Sequence, residues 1–497
     1  MSGRASAVLI GVDAGDKDLI LQWAEAGLLP SFRSALKRGL SGVITNPPGL
    51  FVGSVWPSFY TGVLPGKHGW YCFEQLRPGT YDLYHTEPGS FVSRDPFWRD
   101  LSGAGRKVAI LDLPHPFPGA VNGIQLGAWG AHDAGNGPVS WPPSLAREVV
   151  GRFGRHPVPG RCNAVRGPME LKVLGEQLLL GVGQRADMTE HFLQREDWDF
   201  FASVFSESHC VGHHCWHLHD PTHPGYDQRV ARLVGDPVKD VYVAIDAAIG
   251  RLLAHTDSET VSIIVCSHGM GPHNDGTFLL DDILRGLEHP EAVKVRGGLR
   301  GLWERGRSRA LSVRHRGYTG PPREHDRADR PCFQVPNDTY AAAIRVNLVG
   351  REPKGKVSPG REYEEFCSLL TRDLLDLVNA DTGEPLVREV LRAADLYEGE
   401  YMDHLPDLIV EWNRRKPISS VYSPKFGVIQ KEYRGVRTGD HKPDGLFVAL
   451  GRSIPPGRLE RPVSITDFAP TIASLLGVPF PEVDGKPIEA LLKQCSL

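Results

Sequence analysis

Long apolar runs are missing from this sequence. No stretch of the 497 residues approaches the roughly 20 apolar residues that a membrane-spanning helix needs. The apolar run ahead of Asp13 is too short for the core of a secretory signal. A membrane partner is therefore not expected, and the cytoplasm is the expected location. An excess of one charge is also missing. Lys and Arg total 56 against 60 Asp and Glu, a net charge of −4, so the chain as a whole offers no electrostatic attraction for a nucleic-acid polymer. The eight cysteines (72, 162, 210, 215, 266, 332, 367 and 495) are scattered and form no CxxC pair. That pattern argues against a disulfide framework and fits reduced thiols.

What is present is ordinary for a globular protein: 41% hydrophobic and 23% charged residues, with 55 Gly and 40 Pro to punctuate turns. Ala7–Val12, 107–111, Phe200–Phe205, Val261–Cys266, 340–348, 408–410 and 446–450 read as buried strands. Helical spacing runs from Leu19 to Leu36, interrupted near Gly27 and Pro30. It recurs over Val55–Thr61, over Val238–Leu252 and over the tail Thr466–Leu476, with Gly62 and Gly477 as terminators. Strands alternating with helices predict one large α/β domain over 1–497, with a central, mostly parallel sheet covered by helices on both faces. Residues 294–330 break the pattern with ten arginines. They read as an insertion or lid, either a solvated loop or a flap that meets phosphate oxygens.

Four segments carry the residue types of a reactive centre. Asp13 follows the first strand directly, at the sheet edge where open α/β folds place ligands, or else it caps the next helix. Ser206–Pro224 holds six histidines, of which His209, His213 and His217 are spaced by four. On a helix these three share a face, and two imidazoles at that spacing can chelate one ion, so metal binding is expected here. His268 and His441 each stand in a Gly-rich segment beside a strand, in SHGMGPH and GDHKPDG. Ser54 lies at the predicted start of a helix, where backbone N–H groups and the helix dipole favour anions. It is either a nucleophile or a helix cap.

Taken in order, these segments resemble the alkaline phosphatase superfamily, most closely its branch of type I phosphodiesterases and nucleotide pyrophosphatases. The resemblance runs from GVDAGDKDLI and WPSFYTG…PGKHG, through the His-rich stretch, SHGMGPH and GDHKPDG, to SITDFAPTIASLLGVP. It implies an alkaline phosphatase-like fold, two zinc-type ions, and hydrolysis through a phosphorylated Ser or Thr; one or two ions, zinc or another divalent metal, are expected in this chain. It assigns metal-ligand roles to Asp13, His213, His268 and His441. His209 stands where an Asp is expected, Ser267 where a second Asp is expected, and ungapped counting puts Val52 at the nucleophile, two residues from Ser54. The departures fall on the nucleophile and on the ion that would activate it. His209, His213 and His441 remain as a three-histidine set, which resembles hydrolytic or lyase zinc centres.

The function implied is a metal-dependent hydrolase of phosphodiesters or related phosphate esters, acting on a small phosphate-type molecule. One alternative is a repurposed relative with a single strong zinc site and other chemistry in specialised metabolism. Another is a ligand-binding protein without turnover. The expected ligands are spread from position 13 to position 441, so only the folded chain can assemble them. Metal binding is therefore expected to stabilise the native state. Removing metal with a chelator should lower the melting temperature, and an unchanged melting curve would count against a filled site.

Overall fold

The computed structural model describes residues 7–86, 94–115, 119–130, 137–158, 166–291 and 324–492. Most of the Arg-rich segment, 294–323, lies outside the described residues, and its end forms the short helix Glu324–Ala328. The described residues fall into two compact units.

The first unit comprises 1–70, 87–272 and 436–497. Among the described residues its central sheet has ten strands. Five neighbours at its centre, in the order 261–266, 7–12, 200–205, 108–111 and 123–127, are parallel throughout. The strand Gly445–Leu450 adds antiparallel beside 261–266, and Leu40–Thr45 follows it. Antiparallel Val139–Trp141 closes the far side.

Successive side chains of a strand face opposite ways, and the central strands are wholly buried. Val8, Ile10 and Val12 join one apolar core with residues of the helices Lys17–Glu25, Pro30–Arg38, Pro168–Leu193 and Pro237–Leu253. Ala7 and Leu9 join a second core with Val55, Trp56 and Phe59 of the helix Phe51–Thr61 and with the helix Phe468–Leu475. Each large aliphatic buried this way contributes about 1.5–3 kcal/mol. Helices therefore cover both faces, as the alternation of strand and helix predicts.

Local signals act where expected at several boundaries. The interruption near Gly27, where φ is +81°, separates Lys17–Glu25 from Pro30–Arg38. Asp16, not Asp13, caps the first of these helices, through Leu19 N at 3.0 Å. One boundary is corrected. The helix expected from Val55 begins at Phe51, because the apolar residues before Ser54 are buried and wind into the same helix.

The second unit comprises 71–86 and 273–435. Its main sheet is antiparallel, in the order Cys332–Val335, Ala341–Val346, Leu408–Trp412 and Val387–Arg392. It packs its own core, with Ile344, Val410, Leu370 and Leu374 among the buried residues. The strands expected at 340–348 and 408–410 thus exist, but they pair here and not in the parallel sheet. Strand pattern fixes burial and leaves the pairing partner open.

Candidate metal centre

Strand register builds the floor of the site. Val12 pairs with Phe205 on one side and with Cys266 on the other. Asp13, Ser206 and Ser267, each the next residue along its strand, therefore reach the carboxyl edge of the sheet together. The backbone locks this alignment: Asp13 N donates to Phe205 O at 2.8 Å, and Ser267 N donates to Val12 O at 3.3 Å. Ala14 then turns with φ at +51°, a left-handed backbone that costs a non-glycine residue energy.

The helix Glu207–His219 starts directly after Phe200–Phe205, so its first turns lie over this edge. Opposite stands a two-stranded ribbon in which Gly269–Pro272 pairs antiparallel with Gly439–Lys442 and Met270 faces His441. His268 sits in the corner between its strand and the ribbon.

Four imidazoles converge between helix and ribbon. The His209 and His213 ring centroids are 4.5 Å apart, those of His213 and His441 4.6 Å, and those of His268 and His441 4.8 Å. His209 Nε2 and His441 Nε2 lie 2.9 Å apart. One nitrogen from each of His209, His268 and His441 falls within 4.8 Å of the others. The His213 Nδ1 edge meets Gly439 O at 2.8 Å, and the His268 Nδ1 edge meets Ser267 Oγ at 3.0 Å. Such contacts fix the tautomer and orientation of histidines that bind metals through the other nitrogen. Burial, the neighbouring imidazoles and the Arg437 cation hold His441 well below the usual histidine range. It is therefore neutral at pH 7, which is the ligating form. An all-imidazole donor set with oriented rings fits a zinc-type ion.

The structure redraws the expected grouping. His268, assigned by resemblance to a site with Asp13, gathers with His209 and His441. Among the described residues Asp13 joins no group of three ligand atoms within 4.8 Å. Its Oδ1 accepts instead from Trp56 Nε1 at 2.9 Å and from Ser267 Oγ at 3.2 Å. His217, on the same helical face in sequence, meets Thr438 Oγ1 at 3.0 Å, and His219 pairs with Asp236 at 2.9 Å.

Ser54 is also corrected. With the helix starting at Phe51, Ser54 lies inside its first turn and not at the cap. It is fully buried, and its hydroxyl donates back to Leu50 O at 2.7 Å. The helix entrance presents Phe51, whose ring lies 5.7 Å from that of His268, followed by Val52. Neither has a nucleophilic atom.

Sequence reasoning missed several supporting residues. Trp56 holds Asp13 through its indole N–H. Arg437 sets a positive charge near His441. Asp440 is fully buried beside His441 and accepts its backbone N–H at 2.8 Å. At the start of the histidine helix, Glu207 is buried against Arg185 Nε at 3.0 Å and His156 Nε2 at 3.0 Å, while Arg185 Nη1 reaches Asp112 at 2.7 Å. Asp112 follows the strand Val108–Leu111 directly. Its carboxylate turns out to hold an arginine.

The model of the type I phosphodiesterase/nucleotide pyrophosphatase family matches residues 7–441. The chain belongs to this family. Solved structures of similar fold include phosphonoacetate hydrolase from Sinorhizobium meliloti 1021 in complex with phosphonoformate, with a TM-score of 0.55, 13% identity and 96% of each chain covered. Human ectonucleotide pyrophosphatase/phosphodiesterase 5 is another, with a TM-score of 0.50, 14% identity and 97% of each chain covered. At such identities the likeness is one of fold. No curated protein sequence matches the chain.

This geometry has two measurable consequences. A Cβ added at Gly439 would lie 2.1 Å from Gly212 O, a backbone atom that cannot swing aside. Gly439→Ala should therefore push the ribbon off the histidine helix and weaken metal affinity at least about tenfold, as measured by competition with a chromogenic chelator. The second concerns pH. Burial holds His68 at about 3 and His441 well below the ordinary value of 6.5, so the folded chain leaves these rings unprotonated where the unfolded chain takes up protons. Stability of the metal-free protein should be fully present above pH 6.5 and fall as pH drops below it. Urea unfolding between pH 8 and pH 5 checks the sign.

Proposed function

We propose that this family member is a metal-dependent hydrolase of small phosphate esters, most closely a phosphodiesterase or nucleotide pyrophosphatase. The observation that carries the reading is the convergence of His209, His213, His268 and His441 at the carboxyl edge of the parallel sheet, in a chain of this family. Zinc is the ion that an all-nitrogen donor set of this kind favours. When bound, it would polarise a phosphoryl oxygen and ease deprotonation of water.

The chain's own residues supply the rest. The imidazoles are neutral donors, so they add no negative charge to repel an anionic substrate. Arg437 sets a positive charge near His441, of the sign that suits a phosphoryl oxygen. The first turn of Phe51–Thr61 brings the positive end of a helix dipole to His268. With Phe51 and Val52 at that entrance and the Ser54 hydroxyl bonded to Leu50 O, direct attack by water replaces a phosphorylated side chain. The small-molecule substrate and the cytoplasmic setting belong to the same reading. The six described cysteines carry no disulfide, and five of them are buried. Among the described residues no helix is long and apolar enough to cross a membrane.

Loss of the nucleophile and of the Asp at 267 also supports the second reading, a one-ion relative turned to other chemistry in specialised metabolism. Metal content and turnover separate the two. The phosphoesterase reading expects the zinc-loaded protein to cleave an aryl phosphodiester, and His441→Ala to lose more than about 100-fold in kcat/KM, beyond the cost of removing an outer partner of a ligand. Absence of turnover on phosphodiesters, phosphomonoesters and sulfate esters by zinc-loaded protein would sink the phosphoesterase reading and leave the second reading or a binding protein without turnover.

A further inference from the structure

We propose that Asp13 acts on the metal centre through Ser267 and His268, as a positioning residue and not as a ligand. The inference rests on the metal-centre reading above and names how one side of that centre is held.

Three contacts fix a single direction for the protons. An ionised carboxylate only accepts hydrogen bonds, and Asp13 Oδ1 takes one from Trp56 Nε1 at 2.9 Å. The Ser267 hydroxyl lies 3.2 Å from the same oxygen and has one proton to give, which goes to Asp13. Ser267 Oγ must then accept from its other close partner, His268 Nδ1 at 3.0 Å. A longer approach from Ala14 N, at 3.4 Å, also reaches Oγ as a donor. His268 thus carries its proton on Nδ1, which makes Nε2 the atom that binds an ion.

The chain His268 Nδ1–H to Ser267 Oγ–H to Asp13 is the carboxylate-to-histidine support that orients metal-binding imidazoles, lengthened by one hydroxyl. All three residues are buried: Asp13 at 5% exposure, Ser267 at 0% and His268 at 2%. Little water competes with these hydrogen bonds. The arrangement gives a reason for serine at 267. A carboxylate there would stand beside the buried Asp13 carboxylate, and without a second ion the two charges would repel. Serine keeps the geometry and removes the charge. The site so built takes one transition-metal ion on imidazole nitrogens, with the Asp13 charge felt through two hydrogen bonds.

The test measures metal affinity and stoichiometry in the full-length protein, using zinc with a competing chelator and cobalt(II) absorption as a second readout. Wild type should bind one ion per chain. Ser267→Ala and Asp13→Asn should each weaken binding about 10–100-fold while keeping one ion and the wild-type cobalt spectrum. The double variant should lose no more than the worse single, because both cut the same chain. Ser267→Thr, which keeps the hydroxyl, should restore affinity. The relay is overturned if Ser267→Ala binds zinc as tightly as wild type, if the two losses multiply, or if Asp13→Asn changes the cobalt spectrum as loss of a ligand would. Wild type that binds no zinc, cobalt or manganese would overturn the metal-centre reading itself. Melting curves of the metal-free variants show that each one folds.

Discussion

The backbone of Gly439 lies so close to that of Gly212 that no side chain fits between them. Gly212 is in turn pressed against Met270, whose side chain would touch any Cβ placed there. These two small residues let the histidine helix and the ribbon approach until the His209 and His213 rings stand 5.0 and 4.6 Å from that of His441. Thr438 fastens the seam, its N–H donating to His213 O at 2.6 Å. A wider separation would pull His441 away from His209; one ring nitrogen from each of these two and one from His268 lie within 4.8 Å of one another. The chemistry of the centre is therefore set first by backbone approach and only then by side-chain identity.

The other end of the helix is held by charge. Glu207, its first residue, is buried with Arg185 and His156, and Arg185 also grips Asp112 at the end of a neighbouring strand. Desolvating such groups is costly, and their pairing only offsets that cost when hydrogen bonds are well made. Here Asp112 also accepts from the N–H groups of Trp129 and Gly130. Burial pushes the Glu207 carboxyl up, but the Arg185 guanidinium and the His156 bond outweigh it and hold it down at about 2, so it is ionised at neutral pH. A network of this kind adds little net stability but tolerates few alternatives. That is useful two residues before His209.

The sequence made the strands, the main helices and the histidines visible, because burial and periodicity are local properties. Asp13, His209, His213, His268 and His441 all stand at the sheet edge or on the elements packed over it. It could not show which of them share a point in space. His268 sorted with Asp13 by family pattern and with His209 and His441 by geometry, since its orientation depends on the hydroxyl of Ser267. Ser54 was misplaced for a related reason. Ser marks helix starts, but here the apolar residues before it wind into the helix first, and its hydroxyl turns back on the preceding turn. The strands near 344 and 409 were legible as strands, yet nothing local said that they belong to a separate antiparallel sheet. Trp56 and Arg185 carried no signal at all, because their importance comes only from the partners that long-range folding brings to them.

The ribbon that carries His441 also closes a very long loop. Its two strands, Gly269–Pro272 and Gly439–Lys442, pair directly, and the chain between them supplies nearly all of the second unit. The entropy of closing a loop grows only with the logarithm of its length, about 0.6 kcal/mol for each doubling. The intervening segment can therefore lengthen, shorten or exchange its contents with little effect on the free energy of bringing His441 to its neighbours. Within this architecture the metal end of the ribbon and the inserted unit are free to diverge at different rates.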